Sequence, residues 1–207
     1  NQEMFEDTVL VLTLEALDVD GDNLNFSAVS GDSDNVEAEV TGDQLTLTPA
    51  ADWNGTAIIT MTVSDGLLTD TDTVNITVIP VNDSPSISLP TSFEFIEDGS
   101  RVEDFSSYVS DIDQDDLILT VSDTVNITVS IDSFEVTFGA VQDFNGTETV
   151  TFTVNDNQGR AIASDEMDLT VTPINDPPVL DSLGVHVTYE DIDITVEITA
   201  FDPDVEM

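Results

Sequence analysis

The sequence predicts an all-β chain of tandem seven-stranded Greek-key β-sandwiches. Three observations carry that reading: landmarks recur every 91 to 93 residues, apolar and polar residues alternate with period two between them, and no segment carries a helical stripe.

The repeat is plain when the landmarks are set side by side. Phe5-Glu6-Asp7 corresponds to Ile96-Glu97-Asp98 and to Tyr189-Glu190-Asp191. Asp18-Val-Asp20 corresponds to Asp111-Ile-Asp113 and to Asp202-Pro-Asp204. Asp52-Trp-Asn-Gly-Thr matches Asp143-Phe-Asn-Gly-Thr, and Val81-Asn-Asp-Ser-Pro matches Ile174-Asn-Asp-Pro-Pro. A period of this length suits a self-contained domain better than a solenoid turn. The expected domains are 1–81, whose first strand is truncated, then 82–174, then 175–207 as the first two strands of a third repeat. Pro85, Pro177 and Pro178 cannot donate ladder hydrogen bonds, so the Asn-Asp-x-Pro segments are expected to be short, stiff linkers.

Strands are expected where the alternation is clean: 44–48, 74–78, 125–129, 134–138, 150–154, 167–171 and 192–198. Turn pairs such as Asp65-Gly66 and Asn145-Gly146 punctuate them. Several short strands in each repeat of about 90 to 100 residues indicate an immunoglobulin-like sandwich.

Composition narrows the function. Two basic residues stand against 44 acidic ones, a formal charge of −42, while 40% of the residues are hydrophobic. That hydrophobic content builds cores and distinguishes the chain from a disordered acidic tail. Nucleic acid and anionic membrane surfaces require Lys or Arg to displace counterions, so neither is an expected partner, and no apolar run is long enough for membrane insertion. With no cysteine, neither disulfides nor thiolate metal sites are available. Of the acids, 30 are Asp and 14 are Glu, which puts most of the charge in turns. A saline medium or bound divalent cations would each offset it.

Strand order supplies the placement of these acids. If each repeat runs A to G, the Asp-x-Asp segments fall in the B–C loop and Asp65 and Asp156 in F–G, at one end of a sandwich. The Glu-Asp pairs at A–B and the Asp-aromatic-Asn-Gly segments at E–F fall at the other end. Glu6, Asp7, Asp52, Asn82 and Asp83 are thus expected to meet Asp111, Asp113 and Asp156, and Glu97, Asp98, Asp143, Asn175 and Asp176 to meet Asp202 and Asp204. Asp18, Asp20 and Asp65 are the corresponding candidates at the start of the first repeat. Carboxylates gathered so closely repel one another, and Ca²⁺ takes six to eight oxygens of this kind. Transition metals lack their imidazole and thiolate ligands here, and Mg²⁺ prefers to keep its waters. Calcium is the expected cofactor. An Asp-rich loop that is merely a hydrophilic turn is the plainer alternative, and it leaves the repeated spacing unexplained.

Together these motifs resemble the cadherin-like tandem repeats of large bacterial surface proteins and adhesins, over nearly the whole chain. The resemblance implies Ca²⁺ between successive domains, an extended rod, and a role in adhesion or biofilm formation at the cell surface. It also implies that Glu6 and Glu97 are base glutamates, Asn82-Asp83 and Asn175-Asp176 linker ligands, and Asp111-Asp113 and Asp202-Asp204 the pair given by the following domain. Asp52 and Asp143 depart from the animal pattern, since an aromatic residue and Asn-Gly follow them. Trp53, matched by Phe144, is expected to plug the core.

An enzyme is not expected. His186, the only histidine, alternates away from Val185 and Val187, and carboxylate pairs that recur in every repeat suit scaffolding better than a single catalytic site. The expected partners are neighbouring repeats of the same chain, with identical chains as a second class through adhesion or a filament assembled by strand complementation. A carbohydrate-binding module of a secreted enzyme is the remaining alternative, although one Trp and two Tyr are few for it.

Overall fold

The computed structural model describes residues 1–159, 162–202 and 204. The chain divides into two compact units, Asn1–Asp83 and Ser84–Met207.

The first unit is formed by β1 (Gln2–Phe5), β2 (Leu10–Thr13), β3 (Asn25–Ser30), β4 (Val36–Thr41), β5 (Gln44–Pro49), β6 (Gly55–Ser64) and β7 (Thr69–Ile79). One sheet runs β1-β7-β6-β3 and the other β2-β5-β4. Only β1 pairs in parallel, Gln2 opposite Ile76 through Phe5 opposite Ile79, which makes it the A′ edge of an immunoglobulin-type sandwich. The alternation in Gln44–Pro49 now has its cause: Leu45, Leu47 and Pro49 face inward. Leu45 and Leu47 meet Ile59 and Ile76 in one core. Each such side chain contributes about 1.5–3 kcal/mol by leaving water.

The second unit holds β8 (Ser86–Ile87), β9 (Ser92–Ile96), β10 (Ser100–Asp104), a 3-10 turn (Phe105–Ser107), β11 (Val109–Ser110), β12 (Ile118–Val121), β13 (Ile127–Asp132), β14 (Glu135–Ala140), β15 (Gly146–Asn155) and β16 (Ile162–Thr172). It repeats the layout, with sheets β12-β15-β16-β9 and β10-β14-β13, and β9 parallel to β16. Its core is richer in aromatics. Phe105 packs against Phe152 at 4.9 Å between ring centroids and against Phe138 at 6.1 Å. The 3-10 turn that delivers Phe105 is capped by Asp104, whose carboxylate accepts from the Ser106 N–H at 2.9 Å and is thereby held below the ordinary aspartate pKa. Arg101 lies 4.3 Å from the Phe93 ring centroid and pairs with Glu103 at 2.6 Å.

Trp53 and Phe144 both pack against their unit's core, half-buried, as expected. The glycine two residues on explains the Asn-Gly that follows them. At Gly55 (φ +156) a Cβ would stand 2.7 Å from the Trp53 ring, so only glycine lets the ring lie over the backbone at the start of β6.

Two expected strands differ. Residues 125 and 126 precede β13 because Glu148 of β15 takes their N–H groups: Val125, Asn126 and Ile127 donate to its carboxylate at 2.6, 2.9 and 3.1 Å. Burial alone would raise the Glu148 pKa, but these three donors together hold it below the usual value. With a depressed folded pKa, its contribution is present above the unfolded pKa and is lost as pH falls through the folded one. Glu148→Gln is expected to cost the second unit about 1–2 kcal/mol at neutral pH. It should also flatten the acid limb of thermal melts recorded between about pH 3 and pH 7.

The other difference is 192–198, which forms no strand. It corresponds to β10, and β10 is held by β14; no counterpart of β14 lies among the 207 residues. The third repeat contributes β17 (Val179–Leu180) and β18 (Ala200–Phe201), paired antiparallel. His186 lies in the irregular, exposed stretch between them. Among the described residues, no helix is long and apolar enough to cross a membrane.

Candidate metal centre

In each unit the loops sort as strand order requires. Glu6-Asp7 lies between β1 and β2, Asp18-Asp20 between β2 and β3, Asp52 between β5 and β6, and Asp65 between β6 and β7. In the first unit, Asp52 donates its N–H to Asp7 Oδ1 at 3.2 Å, tying the A–B and E–F loops together at one end. In the second, Gln158 Nε2 donates to Asp115 Oδ1 at 3.2 Å and ties F–G to B–C at the other end.

At the A–B and E–F turns the sequence sets the aim of the carboxylates. Asp7 and Asp98 have φ of +56°, Asp52 +54° and Asp143 +59°. Aspartate enters this left-handed region far more readily than bulky residues do, and the same bend thus recurs at equivalent positions. The preceding glutamates are buried, Glu6 at 1% exposure and Glu97 at 2%. Each is fixed by the linker: Glu6 Oε1 accepts from the Val81 N–H and Glu97 Oε1 from the Ile174 N–H, both at 2.6 Å. Glu6 Oε2 is buried with no hydrogen-bond partner. A buried carboxylate oxygen left so is costly unless a cation or proton serves it.

The second unit shows the fuller cluster. Ligand atoms of Glu97, Asp176 and Asp204 lie within 4.8 Å of one another, as do those of Asp98, Asp143 and Asp176. Asp176 joins the two groups. Its N–H donates to Asp204 Oδ2 at 2.6 Å, while Asp204 donates its own to Asp202 Oδ1 at 3.1 Å, so Asp202 orients Asp204. Asn175 Nδ2 donates to the Asp176 carbonyl at 3.0 Å, which leaves the amide oxygen as its ligand atom. Asp176 Oδ2 is buried without a hydrogen-bond partner. Desolvation, followed by the negative charges of Asp98, Asp143, Asp204 and Glu97, pushes its pKa above the ordinary value. The donor set is oxygen throughout, which fits a hard divalent cation and excludes the preferences of soft ones.

In the first unit Asp7, Asp52 and Asp83 form the group equivalent to Asp98, Asp143 and Asp176, with Asn82 Nδ2 donating to the Asp83 carbonyl at 2.9 Å. The B–C loop of the second unit gathers Asp111, Asp113 and Asp115. There, Asp111 Oδ1 accepts from the N–H of Asp113 at 2.9 Å and Asp115 at 3.4 Å. Asp115 is the residue the sequence reading passes over; its signal is the i, i+2, i+4 spacing from Asp111.

Five acidic candidates join no group of three acidic ligand atoms among the described residues: Asp18, Asp20, Asp65, Asp156 and Asp202. Asp18 Oδ1 instead accepts from the N–H groups of Asp20 and Asp22 at 2.9 and 3.0 Å. Asp65 Oδ1 accepts from those of Leu67 and Leu68, both at 2.6 Å, which hold its pKa low. Asp156, buried at 1% exposure, accepts from the Gln158 N–H at 2.9 Å. Asp18 and Asp65 thus close their own turns.

Known folds agree with this layout. Human protocadherin-24 EC1-2 aligns with a TM-score of 0.57 at 13% identity, over 84% of this chain and 95% of that one. The protocadherin GammaB4 extracellular domain aligns at 0.56 and 16% identity, over 100% of this chain and 37% of that one. The chain also spans 28% of an endo-fucoidan hydrolase of glycoside hydrolase family 107, at 19% identity and a TM-score of 0.36, too distant to carry any argument. No curated protein matches. The family model described as "Bacterial Ig domain" matches residues 1–77 and again 82–172. With cadherin-like sandwiches repeated in tandem and that model matched twice in succession, the chain belongs to the bacterial Ig domain family.

Proposed function

We propose that this chain is a calcium-binding structural repeat module of a long extracellular or cell-surface protein, in which Ca²⁺ stiffens the connection between successive repeats. The observation that carries the reading is the meeting of Glu97, Asp98, Asp143, Asp176 and Asp204 around the second Asn-Asp-x-Pro linker. Two of these acids belong to the A–B loop, one to E–F, one to the linker and one to the opening of the third repeat. A cation bound by such a set restrains every element that supplies a ligand, and therefore fixes one repeat on the next. Without it the same oxygens repel one another, and burial followed by the charges of these neighbours pushes the Asp176 pKa above its ordinary value.

Glu97, Asp98, Asp143, Asp176, Asp204 and the Asn175 amide would hold the ion; by sequence equivalence Glu6, Asp7, Asp52, Asp83 and Asn82 would do so at the first linker. Repetition of such joints gives an extended rod, suited to adhesion or biofilm formation and to spacing other domains from a surface, not to catalysis. The protocadherin fold likeness supports the same reading, those chains being extracellular cadherin domains.

Calorimetric titration of the metal-free chain with CaCl₂ tests it directly. Saturable binding with Kd of about 10⁻⁴ to 10⁻³ M is expected, in the range of extracellular calcium modules. No saturable heat up to several times that range, or equal binding of Mg²⁺, would defeat the proposal.

A further inference from the structure

In a chain with 44 acidic and two basic residues, a broad sheet face of the first unit carries no charge. It is the outer side of β3, β6 and β7, where Thr60 stands opposite Thr73, Thr62 opposite Thr71 and Ile58 opposite Asn75, with Val29 of β3 beside Thr60. Every outward side chain on these three strands is Thr, Ser, Asn, Val or Ile. Among the described residues, Glu3 on the edge strand β1 is the one acid on this side of the sheet. The other sheets differ: Glu37 and Glu39 stand on the outer side of β4, and Asp132 and Glu135 on that of β13 and β14.

The equivalent side of the second unit is also exposed, at Thr147, Thr149 and Ser164, so the exposure belongs to the sandwich itself. The lack of charge does not. In the same register, Glu166 and Asp168 stand where the first unit has Thr73 and Asn75. Their carboxylates accept from the hydroxyls of Thr151 and Thr149 at 3.3 and 2.6 Å. In the first unit no carboxylate stands opposite Ile58, Thr60 or Thr62.

We propose that this neutral threonine face pairs with the same face of a second copy of the chain, sheet on sheet about a two-fold axis. A chain of charge −42 repels its copies wherever carboxylates meet, at about 4 kcal/mol for a pair 4 Å apart at the effective dielectric of a protein surface. Two basic residues cannot offset that. On the neutral face the repulsive contacts are missing, and depletion of charge marks the buried centre of protein interfaces. Threonine, serine and asparagine each donate and accept, so the face is complementary to itself, whereas an array of carboxylates only accepts. Val29 and Ile58, 68% and 55% exposed, supply apolar surface to bury. Strands of up to 11 residues, three abreast, make a face of roughly 35 Å by 15 Å. That is small beside stable interfaces and suits weak association, with Kd of about 10⁻⁴ M. Neither calcium nor strand exchange enters.

Sedimentation equilibrium of the full 207-residue chain in chelator is the test. A monomer–dimer equilibrium is expected, tightening severalfold as NaCl rises from about 0.1 to about 1 M, because the Debye length falls from about 10 to about 3 Å and the general repulsion with it. Thr73→Glu with Asn75→Asp installs the acids that the second unit carries in the same register as Glu166 and Asp168, so the fold accepts them. This pair should weaken the dimer at least tenfold at the lower salt and leave the thermal midpoint nearly unchanged. Thr41→Asp with Gln44→Glu adds the same charge at the hairpin equivalent to Asp132 and Glu135, on the other sheet, and should leave the dimer intact. A chain that stays monomeric up to about 10⁻³ M at both salts overturns the proposal. So does a dimer that the two pairs weaken alike, or that the first pair leaves unchanged.

Discussion

Removing calcium with a chelator is expected to increase cleavage by a broad-specificity protease at 81–85 and 174–178 by tenfold or more, while far-UV circular dichroism barely changes. At the start of each linker a backbone N–H is taken by a buried glutamate, Val81 N–H by Glu6 and Ile174 N–H by Glu97. The linker aspartates sit among further carboxylates, Asp83 with Asp7 and Asp52, and Asp176 with Asp98 and Asp143 and also with Glu97 and Asp204. A pair of like charges 4 Å apart costs about 1 kcal/mol in water and about 4 at the effective dielectric of a protein surface. Several such pairs are enough to open a segment whose local unfolding disturbs no core, because opening free energies range from near zero up to the global value. The cores are a separate matter. Leu45, Leu47, Ile59 and Ile76 in the first unit and Phe105, Phe138 and Phe152 in the second are apolar and buried, and none contacts the acid clusters through a hydrogen bond that calcium would govern. Limited proteolysis with mass-spectrometric mapping reads the result. Equal rates with and without calcium would remove the case for a metal-stiffened linker.

The fold was legible because its signals are local and repeated. Alternation in 44–48 or 167–171 states which side chains face inward, and the register of β15 with β16 follows that of β6 with β7. The acid clusters at the A–B, E–F and linker positions were legible for the same reason, since strand order alone puts those loops at one end. What escaped depends on partners that a linear pattern does not show. The strand expected at 192–198 needs a neighbour equivalent to β14. Asp18 and Asp65 have the composition of ligands, but backbone N–H groups within their own turns engage an oxygen of each.

Asp176→Asn is expected to act with opposite sign in the two states of the chain, which separates a metal site from an ordinary acidic loop. Asp176 is the one carboxylate common to both groups of the second cluster, and its buried Oδ2 has no hydrogen-bond partner. In chelator, the amide removes a charge that Asp98, Asp143, Asp204 and Glu97 oppose, while the backbone N–H still donates to Asp204. Protease cleavage at 174–178 should therefore slow several-fold relative to the unsubstituted chain. In calcium, the same change withdraws a charged ligand shared by the whole cluster, and affinity at this site should fall at least tenfold, about 1.4 kcal/mol. Asp132→Asn, at the exposed end of β13 and outside every cluster, should alter neither measurement. If Asp176→Asn protected the linker equally in both conditions, or weakened it equally, the carboxylate would be acting through charge alone and no ion would be needed to explain why five acids meet there.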